Sequence, residues 1–204
     1  MMSVEALGID GAWLCTPAVH ADPRGIFLEW FRGDRLAAAT GRSFEVVQAN
    51  HSVSAKGVVR GVHYADVPPG QAKYVSCSGG AILDVVVDLR LDSPTYGKFE
   101  AMVIDDQRRQ GIFIAEGLGH AFCALADQTA VSYLVSATYA PEREHTVSPL
   151  DPALGLPWDE HVVGPLSVSD RDGAAPTLAE AAAAGALPTY AACLDRYAAL
   201  SLTS

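Results

Sequence analysis

Positive charge is scarce in this sequence. The chain has 14 lysine and arginine residues against 24 aspartate and glutamate residues, which leaves a formal net charge of −10. This balance argues against electrostatic attraction to nucleic acid or to an anionic membrane surface. An anionic ligand must therefore be held by a few well-placed cations.

Long apolar runs are also missing. The longest, Ala81–Leu89, is interrupted by Asp84 and Asp88 and is far shorter than the roughly 20 residues that a membrane-spanning helix needs. No basic segment followed by an apolar one opens the sequence, so no signal peptide is predicted and we expect a cytoplasmic protein. The 204 residues, 50% of them hydrophobic, suffice for the core of one domain.

Nucleotide-binding loops and cysteine motifs are absent as well. The sequence has no G-x-x-x-x-G-K loop, no dinucleotide fingerprint and no G-x-S-x-G elbow, which disfavours P-loop, nicotinamide and serine-hydrolase chemistry. It has no C-x-x-C pair to suggest a zinc site or a redox dithiol. We expect free, mostly buried thiols at the four cysteines, which are Cys15, Cys77, Cys123 and Cys193.

Short β-branched and aromatic runs follow one another from about residue 26 to 135, separated by Gly, Pro, Asp and Ser. This spacing predicts an antiparallel sandwich or barrel. The predicted strands are Ile26–Phe31, Phe44–Asn50, Val58–Tyr64, Lys73–Ser78, Ala81–Leu89, Phe99–Ile104, Gly111–Ala115, Ala121–Leu125 and Ala130–Val135.

Few helices are expected. A short one near residue 36, Asp34–Thr40, would end at Gly41, a residue typical of helix ends. Thr177 and Glu180 form a capping-box pattern that predicts a helix at about 178–184, and another is expected over Tyr190–Leu200. We expect a single domain over residues 1–204, with a β core at about 22–136 and a C-terminal helical segment at about 177–200 packed outside it.

Alternation within Ala81–Arg90 places Asp84, Asp88 and Arg90 on one face of a strand. Two interpretations stay open. In one, this face lines the interior of a barrel and Asp84 lies in a cavity; in the other, the face is in contact with water. Alternation alone does not tell which side is solvent.

Two histidines, His63 and His120, lie in glycine-containing strand segments. Small barrels with a catalytic metal use such segments for ligands, the first as His-x-His, but Gly61 and Ala65 stand two residues either side of His63. No glutamate follows closely to complete a set of two histidines and one carboxylate. We therefore expect no bound metal and consider both a structural and a catalytic role for His63.

Four cations stand in or beside apolar strand sequence, where an unpaired charge is costly. Each must have a partner, either a carboxylate such as Asp84, Asp88 or Glu29, or a phosphate group of a ligand. The four are Arg24, Arg60, Lys73 and Arg90.

Several motifs occur in a fixed order along the chain. They include Asp22–Gly25 (DPRG), Gln48–Ser52 (QANHS), Gly57–Tyr64 (GVVRGVHY), Gln71–Lys73 (QAK), Asp84–Arg90 (DVVVDLR), Ser93–Gly97 (SPTYG), Glu116–Phe122 (EGLGHAF) and Ser169–Asp172 (SDRD). Together they resemble the dTDP-4-dehydrorhamnose 3,5-epimerase family, and the resemblance extends from about residue 10 to 190. So many motifs in order are far more specific than any one of them.

The resemblance implies a mainly β, cupin-type jelly-roll barrel without metal or other cofactor, a homodimer with exchanged N-terminal strands. The implied substrate is a dTDP-linked 4-keto-6-deoxyhexose. A proton beside a ketone becomes removable when a base takes it while a cation or donor holds the enolate oxygen. By resemblance, His63 is the base and Asp172 orients it, Lys73 is the cation, and Tyr133 returns a proton on the opposite face.

Binding residues carry over in the same way. The resemblance assigns the diphosphate to Arg60 and to the partner's Arg24. It assigns the nucleotide and sugar to Phe27, Glu29, Gln48, Asn50, Asp84, His120 and Tyr139. Strict alternation nevertheless puts Arg60 and His63 on opposite faces of one strand, and Gly61 between them would allow a bulge that brings both to one cavity.

The sequence also departs from the family pattern. Thr138 stands where an aromatic residue would stack on thymine, so Tyr139 or Phe27 takes that role. Pro68–Tyr74 and Glu142–His145 resemble the branch that serves antibiotic deoxysugar pathways in actinomycetes, some members of which invert only C3. We expect inversion at C3, with inversion at both C3 and C5 as the alternative. More distant alternatives are a metal-dependent cupin oxygenase or isomerase, a 3,4-ketoisomerase and a catalytically silent sugar-nucleotide binder.

Overall fold

The structure, a computed structural model, describes residues 1–202 and is built mainly from antiparallel strands. The strands are β1 (Ser3–Ala6), β2 (Ala12–Thr16), β3 (Val19–Asp22), β4 (Gly25–Leu28), β5 (Gln48–Ser54), β6 (Val59–Ala65), β7 (Lys73–Gly79), β8 (Ala81–Asp88), β9 (Phe99–Asp105), β10 (Gly111–Ile114), β11 (Leu118–Ala124), β12 (Thr129–Val135) and β13 (Glu144–Thr146). The helices are α1 (Gly33–Thr40), α2 (Trp158–His161), α3 (Asp170–Gly173), α4 (Leu178–Ala183) and α5 (Tyr190–Leu200).

Two large sheets form the body of the molecule. One has six strands in the order β1-β2-β10-β7-β12-β5, and the other has five in the order β13-β6-β11-β8-β9. Because most neighbours in a sheet are distant in sequence, the chain crosses repeatedly from one sheet to the other. Within residues 1–202, β3 and β4 pair only with each other and form a separate hairpin. The prediction of a mainly β protein is confirmed.

The two sheets enclose a central apolar core. Val75 of β7 and Val131 of β12 belong to the same buried cluster as Val86 of β8 and Phe122 of β11. Since these strands come from both sheets, this cluster holds the sheets face to face by burial of apolar surface. It also fixes which side of each strand faces the interior.

β8 is buried on both faces. Val86 packs in the central core, while Val85 packs on the other side of the sheet against the segment that contains Trp158. The polar residues on the face of Val86 have no exposed surface; they are Asp84, Asp88 and Arg90. This face therefore lies in the interior, as one interpretation expected, although Asp84 itself is enclosed by protein, and the water-facing interpretation is wrong.

Helix bounds agree closely with the sequence prediction. α1 ends at Gly41 with φ of 71°, and Thr177 and Glu180 make the expected capping box at the start of α4. α5 has the predicted limits. α1 and α5 pack outside the six-stranded sheet through Leu36 and Cys193. α2 and α3 were not predicted, because one short turn of helix leaves little periodicity to detect.

Three predicted strands differ from the structure by three residues or more at an end, and the others differ by at most one residue. β11 begins at Leu118 instead of Ala121. β4 ends at Leu28 instead of Phe31, and β5 starts at Gln48 instead of Phe44. The rings of Phe31 and Phe44 pack edge-on with centroids 5.8 Å apart, in a cluster outside the sheet, and so leave the strand ladders. β1, β2 and most of β3 precede the predicted core boundary at residue 22, because their short mixed sequences lack a clear alternation.

Two smaller expectations concern the cysteines and the membrane. All four cysteines are free and buried, as predicted. Among residues 1–202, no helix combines the length and apolar character that crossing a bilayer requires.

Candidate active site

One end of the space between the sheets is polar. Lys73 of β7 and Tyr133 of β12 lie on the six-stranded sheet, and His63 of β6 lies on the five-stranded sheet. These three side chains line one cleft of about 160 Å³. Strands from both sheets thus bring together three of the four predicted catalytic residues.

An irregularity in β6 resolves the conflict between Arg60 and His63. In the pairing of β6 with β11, His63 lies opposite His120 and Arg60 lies opposite Phe122. Three residue steps on β6 therefore match two on β11. Arg60 and His63 therefore face the same side. Gly61 between them has φ of 119°, a conformation that favours glycine, and an added Cβ would come within 2.7 Å of Cα of Ala121.

The imidazole of His63 is bonded to a carboxylate. Nε2 of His63 lies 2.9 Å from Oδ1 of Asp172. Burial raises the pKa of Asp172, but hydrogen bonds from His63 and from the Gly61 amide, together with the His63 charge, hold that pKa below its usual range. Asp172 is therefore ionised, and Nε2 of His63 must donate the proton of this hydrogen bond. The lone pair of the neutral ring then lies on Nδ1, where a base needs it.

α3 supplies Asp172 from outside the two sheets. The side chain of Ser169 caps this helix by accepting a hydrogen bond from the Asp172 amide at 3.1 Å. The other carboxylate oxygen of Asp172 accepts from the Gly61 amide at 3.3 Å. Asp172 is only 4% exposed, so its contacts fix the orientation of the His63 ring.

Burial shifts the pKa of His63 in the direction that a general base requires. Burial lowers it, the hydrogen bond to Asp172 opposes this, and the charge of Lys73 lowers it further. The net pKa lies below the ordinary histidine value, so the ring is neutral at neutral pH.

Lys73 is held close to His63. Its Nζ donates to the backbone oxygen of His63 at 3.5 Å. Burial lowers the pKa of Lys73 to about 8, while the charges of Glu144 and Asp84 oppose that change. The ammonium group is therefore charged at neutral pH and loses its proton in mildly alkaline solution.

Tyr133 offers a phenolic proton to the same cleft. Burial and the charge of Glu144 raise its pKa, and the charge of Arg60 opposes them. Tyr133 is consequently protonated at neutral pH. A protonated phenol at this position can donate to a strongly basic carbanion.

A second histidine–carboxylate pair lies behind the cleft. Nε2 of His120 is 2.8 Å from Oδ2 of Asp84. Asp84 is fully buried, and its Oδ1 has no hydrogen-bond partner among residues 1–202. Neither side chain lines the cleft, so the structure places Asp84 away from the substrate contact predicted for it. Its charge instead acts on Lys73, and His120 acts electrostatically on His63.

The cleft wall also includes two residues that the sequence prediction missed. Gln71 and Glu144 line the cleft, and Nε2 of Gln71 donates to Glu144 at 3.2 Å. Gln71 stands in a recognised motif, whereas Glu144 lies in the three-residue β13, which carries no strand pattern. The predicted residues on the wall are Gln48, Asn50, His63, Lys73, Tyr133 and Tyr139.

The four cations identified from the sequence separate into two groups. Arg24 pairs with Asp22, and Arg90 makes a buried pair with Asp88 at 2.8 Å. Within residues 1–202, neither Arg60 nor Lys73 makes a salt bridge, although Nε of Arg60 donates to Ser54 at 3.2 Å. Of the four, the two cations near the cleft are thus the ones without a carboxylate partner in the described chain, which suits them to meet an anionic ligand.

Besides Asp84, His120 and Arg60, three more of the predicted binding residues do not line the cleft of their own chain. Arg24 and Phe27 lie on the β3–β4 hairpin, and the Phe27 side chain is 67% exposed. Glu29 bonds to Arg32 at 3.0 Å. None of them lines the cleft.

No metal cluster is evident in the described part of the chain. Within residues 1–202, no three His, Cys, Asp or Glu side chains are grouped to hold a metal ion. A metal-independent reaction remains a prediction.

Known proteins resemble this chain over most of its length. The sequence profile of the dTDP-4-dehydrorhamnose 3,5-epimerase family matches residues 6–180. A dTDP-4-dehydrorhamnose 3,5-epimerase of Mycolicibacterium smegmatis is 55% identical over 192 residues, 94% of each chain. A dTDP-4-dehydrorhamnose 3-epimerase of Streptomyces niveus is 54% identical over 192 residues, 94% of this chain and 91% of the relative. The structure of ChmJ, a 3'-monoepimerase from Streptomyces bikiniensis in complex with dTDP-quinovose, matches with a TM-score of 0.92 at 48% identity, over 96% of this chain and 98% of ChmJ.

These similarities agree with the observed fold of two facing sheets and with the residues that line the cleft between them. The fold is a cupin-like jelly roll, and the protein is an isomerase. The chain belongs to the dTDP-4-dehydrorhamnose 3,5-epimerase family, as its ordered motifs predicted.

Proposed function

We propose that the protein inverts C3 of a dTDP-linked 4-keto-6-deoxyhexose without a metal ion, as a step of deoxysugar biosynthesis. The observation that carries the proposal is the His63–Asp172 pair, whose histidine lines the same cleft as Lys73 and Tyr133. Inversion beside a ketone needs a base, a stabilised enolate and an acid, and this cleft offers one residue for each. The names of the relatives support this substrate class.

In the proposed reaction, Nδ1 of His63 takes the proton from C3, and the electron pair of the C–H bond moves to the ketone oxygen. The ammonium group of Lys73 donates a hydrogen bond to the resulting enolate oxygen. Tyr133 then gives its phenolic proton to the opposite face of C3 while the ketone forms again, which inverts the centre. Exchange with solvent restores both side chains, so the cycle needs no redox partner.

The substrate diphosphate is proposed to bind Arg60 and the partner's Arg24. Two observations support this role: Arg60 has no carboxylate partner among residues 1–202, and its charge acts on Tyr133. Gln48 and Asn50 line the cleft and offer amide groups to the nucleotide and sugar. Tyr139 is 55% exposed at the cleft and is proposed to stack on thymine, since Thr138 offers no ring there.

A homodimer with exchanged N-terminal strands is part of the proposal. The β3–β4 hairpin supports it, because this hairpin pairs with no other strand among residues 1–202 and exposes Ile26 and Phe27 to 50% and 67%. Exposed apolar patches of this kind mark interaction sites. A cytoplasmic location stays a prediction from the sequence.

Subunit mixing tests the exchange. Arg24→Ala and His63→Ala subunits are each expected to form inactive homodimers. Coexpression should restore about a quarter of wild-type activity, because half of the dimers are mixed and each then holds one intact site. If the mixture stays inactive although mixed dimers form, Arg24 does not act in the partner's site.

Deuterium uptake tests the reaction itself. The protein is incubated with dTDP-4-keto-6-deoxyglucose in deuterated water, with a sample without enzyme as control, and the sugar nucleotide is measured by mass spectrometry. We expect enzyme-dependent uptake of one deuterium, because only C3 reacts. Uptake of two would support the second candidate, inversion at C3 and C5, which the 55% identity to a 3,5-epimerase favours.

Three further outcomes would overturn the proposal. No uptake above the control would exclude the epimerase reaction for this substrate. Uptake that disappears with a chelator, together with a metal found by elemental analysis, would replace it by the metal-dependent alternative. A product with the ketone at C3 would indicate a 3,4-ketoisomerase.

A further inference from the structure

A second cavity lies beside the same ends of β7 and β12 as the cleft, and its wall residue Ala72 stands between Gln71 and Lys73 of the cleft. Its volume is about 90 Å³, and no residue lines both spaces. Its wall includes Ala72, whose amide donates to Oγ of Ser136 at 2.9 Å, and Leu200 at the end of α5. A water molecule needs about 10–15 Å³ on this scale, so the cavity accepts a group of several heavy atoms.

Arg42 lines this cavity with an unsatisfied donor. The residue is only 9% exposed, and its Nη1 has no hydrogen-bond partner among residues 1–202. Its guanidinium group lies 4.0 Å from the ring centroid of Tyr197 and 4.9 Å from that of Trp13. Ring faces stabilise the charge but leave the N–H groups unbonded, and burying such donors is costly.

Arg196 and Glu116 stand on the same wall. Nε of Arg196 is buried and has no hydrogen bond in the described chain, and its nearest charged oxygen is Oε1 of Glu116 at 3.6 Å. At that separation the two groups form an ion pair that is longer than an ordinary hydrogen bond. Burial raises the pKa of Glu116, and the charges of Arg196 and Arg42 oppose this. Two guanidinium groups therefore converge on a cavity that has one buried carboxylate.

We propose that this cavity binds a small monoanion, a carboxylate or an inorganic oxyanion, through the guanidinium groups of Arg42 and Arg196. Planar guanidinium groups donate in pairs to such oxygens, and these donors are the ones left unsatisfied here. Glu45 also lines the cavity, but it is exposed and its charge is screened by water. Glu116 is the group that limits the affinity, because its charge partly neutralises the site.

Titration calorimetry of the full chain tests this site with acetate and with inorganic phosphate, against chloride at equal ionic strength. Arg196→Gln should weaken binding of both anions at least about tenfold, since one charged hydrogen bond is lost. Glu116→Gln should tighten binding, because it removes a negative charge and keeps the shape. Arg108→Gln, an exposed arginine elsewhere, is the matched control and should change nothing.

The two probes and one further variant separate this cavity from the cleft. Phosphate held by the cleft would be lost in Arg60→Gln and kept in Arg196→Gln, and that result would overturn the proposal. Absence of binding heat for both anions with the wild type would overturn it as well, since the cavity would then hold water only. Unchanged melting of Arg196→Gln would show that its effect is on binding and not on folding. The proposal is independent of the epimerase reaction.

Discussion

Of the three histidine–aspartate pairs among residues 1–202, two have their histidines opposite each other on β6 and β11, and only one of these two meets the cleft. His63 bonds to Asp172 at 2.9 Å and keeps 35% of its side chain exposed. His120 bonds to Asp84 at 2.8 Å with 10% exposed, and it does not line the cleft. A hydrogen bond to a carboxylate therefore does not by itself make a histidine a base. The other ring nitrogen must also reach the reacting atom.

The carboxylates of the two pairs also differ in origin. Asp172 comes from α3, outside the sheets, and its carboxylate accepts hydrogen bonds from the His63 ring and from the Gly61 amide. Asp84 comes from β8 inside the barrel and acts on Lys73 as well as on His120. We infer that the first pair performs proton transfer, while the second sets the electrostatic field around it.

Replacing the two histidines should show the largest difference between the two pairs. His63→Asn removes the base, so we expect the epimerisation rate to fall about 10²- to 10⁴-fold. His120→Asn should lower the rate only about tenfold, because a positioning group and not the base is lost. Product formation measured by chromatography compares the two. Equal losses in two folded variants would refute the division of roles.

Removing the charge of Asp172 should have an intermediate effect. We expect Asp172→Asn to lower the rate by about one to two orders of magnitude. The hydrogen bond to Asp172 and the charge of Asp172 both raise the pKa of His63. An amide oxygen still accepts from Nε2 but carries no charge, so that pKa falls further in the variant. Because activity requires neutral His63, the acidic limb of the kcat/KM profile should move to lower pH. A limb that moves to higher pH would contradict the role given to Asp172.

The smallest expected effect concerns Asp84 and appears on the alkaline limb. Lys73 acts as a cation with a pKa of about 8, and the charge of Asp84 raises that pKa. Asp84→Asn should therefore lower the pKa of Lys73. The alkaline loss of activity should then begin at a lower pH than in the wild type. The control is Asp92→Asn. Asp92 is exposed and has a left-handed backbone conformation, which asparagine also tolerates. An alkaline limb that is the same as in the wild type would show that the charge of Asp84 does not affect the pKa of Lys73.

Much of this fold could be predicted from local sequence patterns. The limits of α5 and the capping box of α4 follow from residues next to each other in the chain, and the structure has both. The face of β8 could not be decided, because both of its faces are covered, one by the opposite sheet and the other by the segment around Trp158. Alternation reports which residues share a face but not what covers it.

The site shows the same limit. The motifs identified His63, Lys73 and Tyr133, and the structure brings them to one cleft. The common orientation of Arg60 and His63 depends on a register shift against β11, which only the pairing reveals. Glu144 escaped detection because a three-residue strand has no periodicity of its own, although it lies on the cleft wall.

The central claim is that His63 removes the proton on one face of the sugar and Tyr133 returns it on the other. Tyr133→Phe in deuterated water tests this most directly, with exchange measured by mass spectrometry and configuration at C3 by proton NMR. The control is Tyr96→Phe. Tyr96 packs against the buried cluster that contains Val85 and Trp158. We predict that Tyr133→Phe still takes up deuterium, more slowly, but yields sugar of unchanged configuration, because His63 returns the proton to the face it came from. Inverted product formed at the wild-type rate would contradict the account.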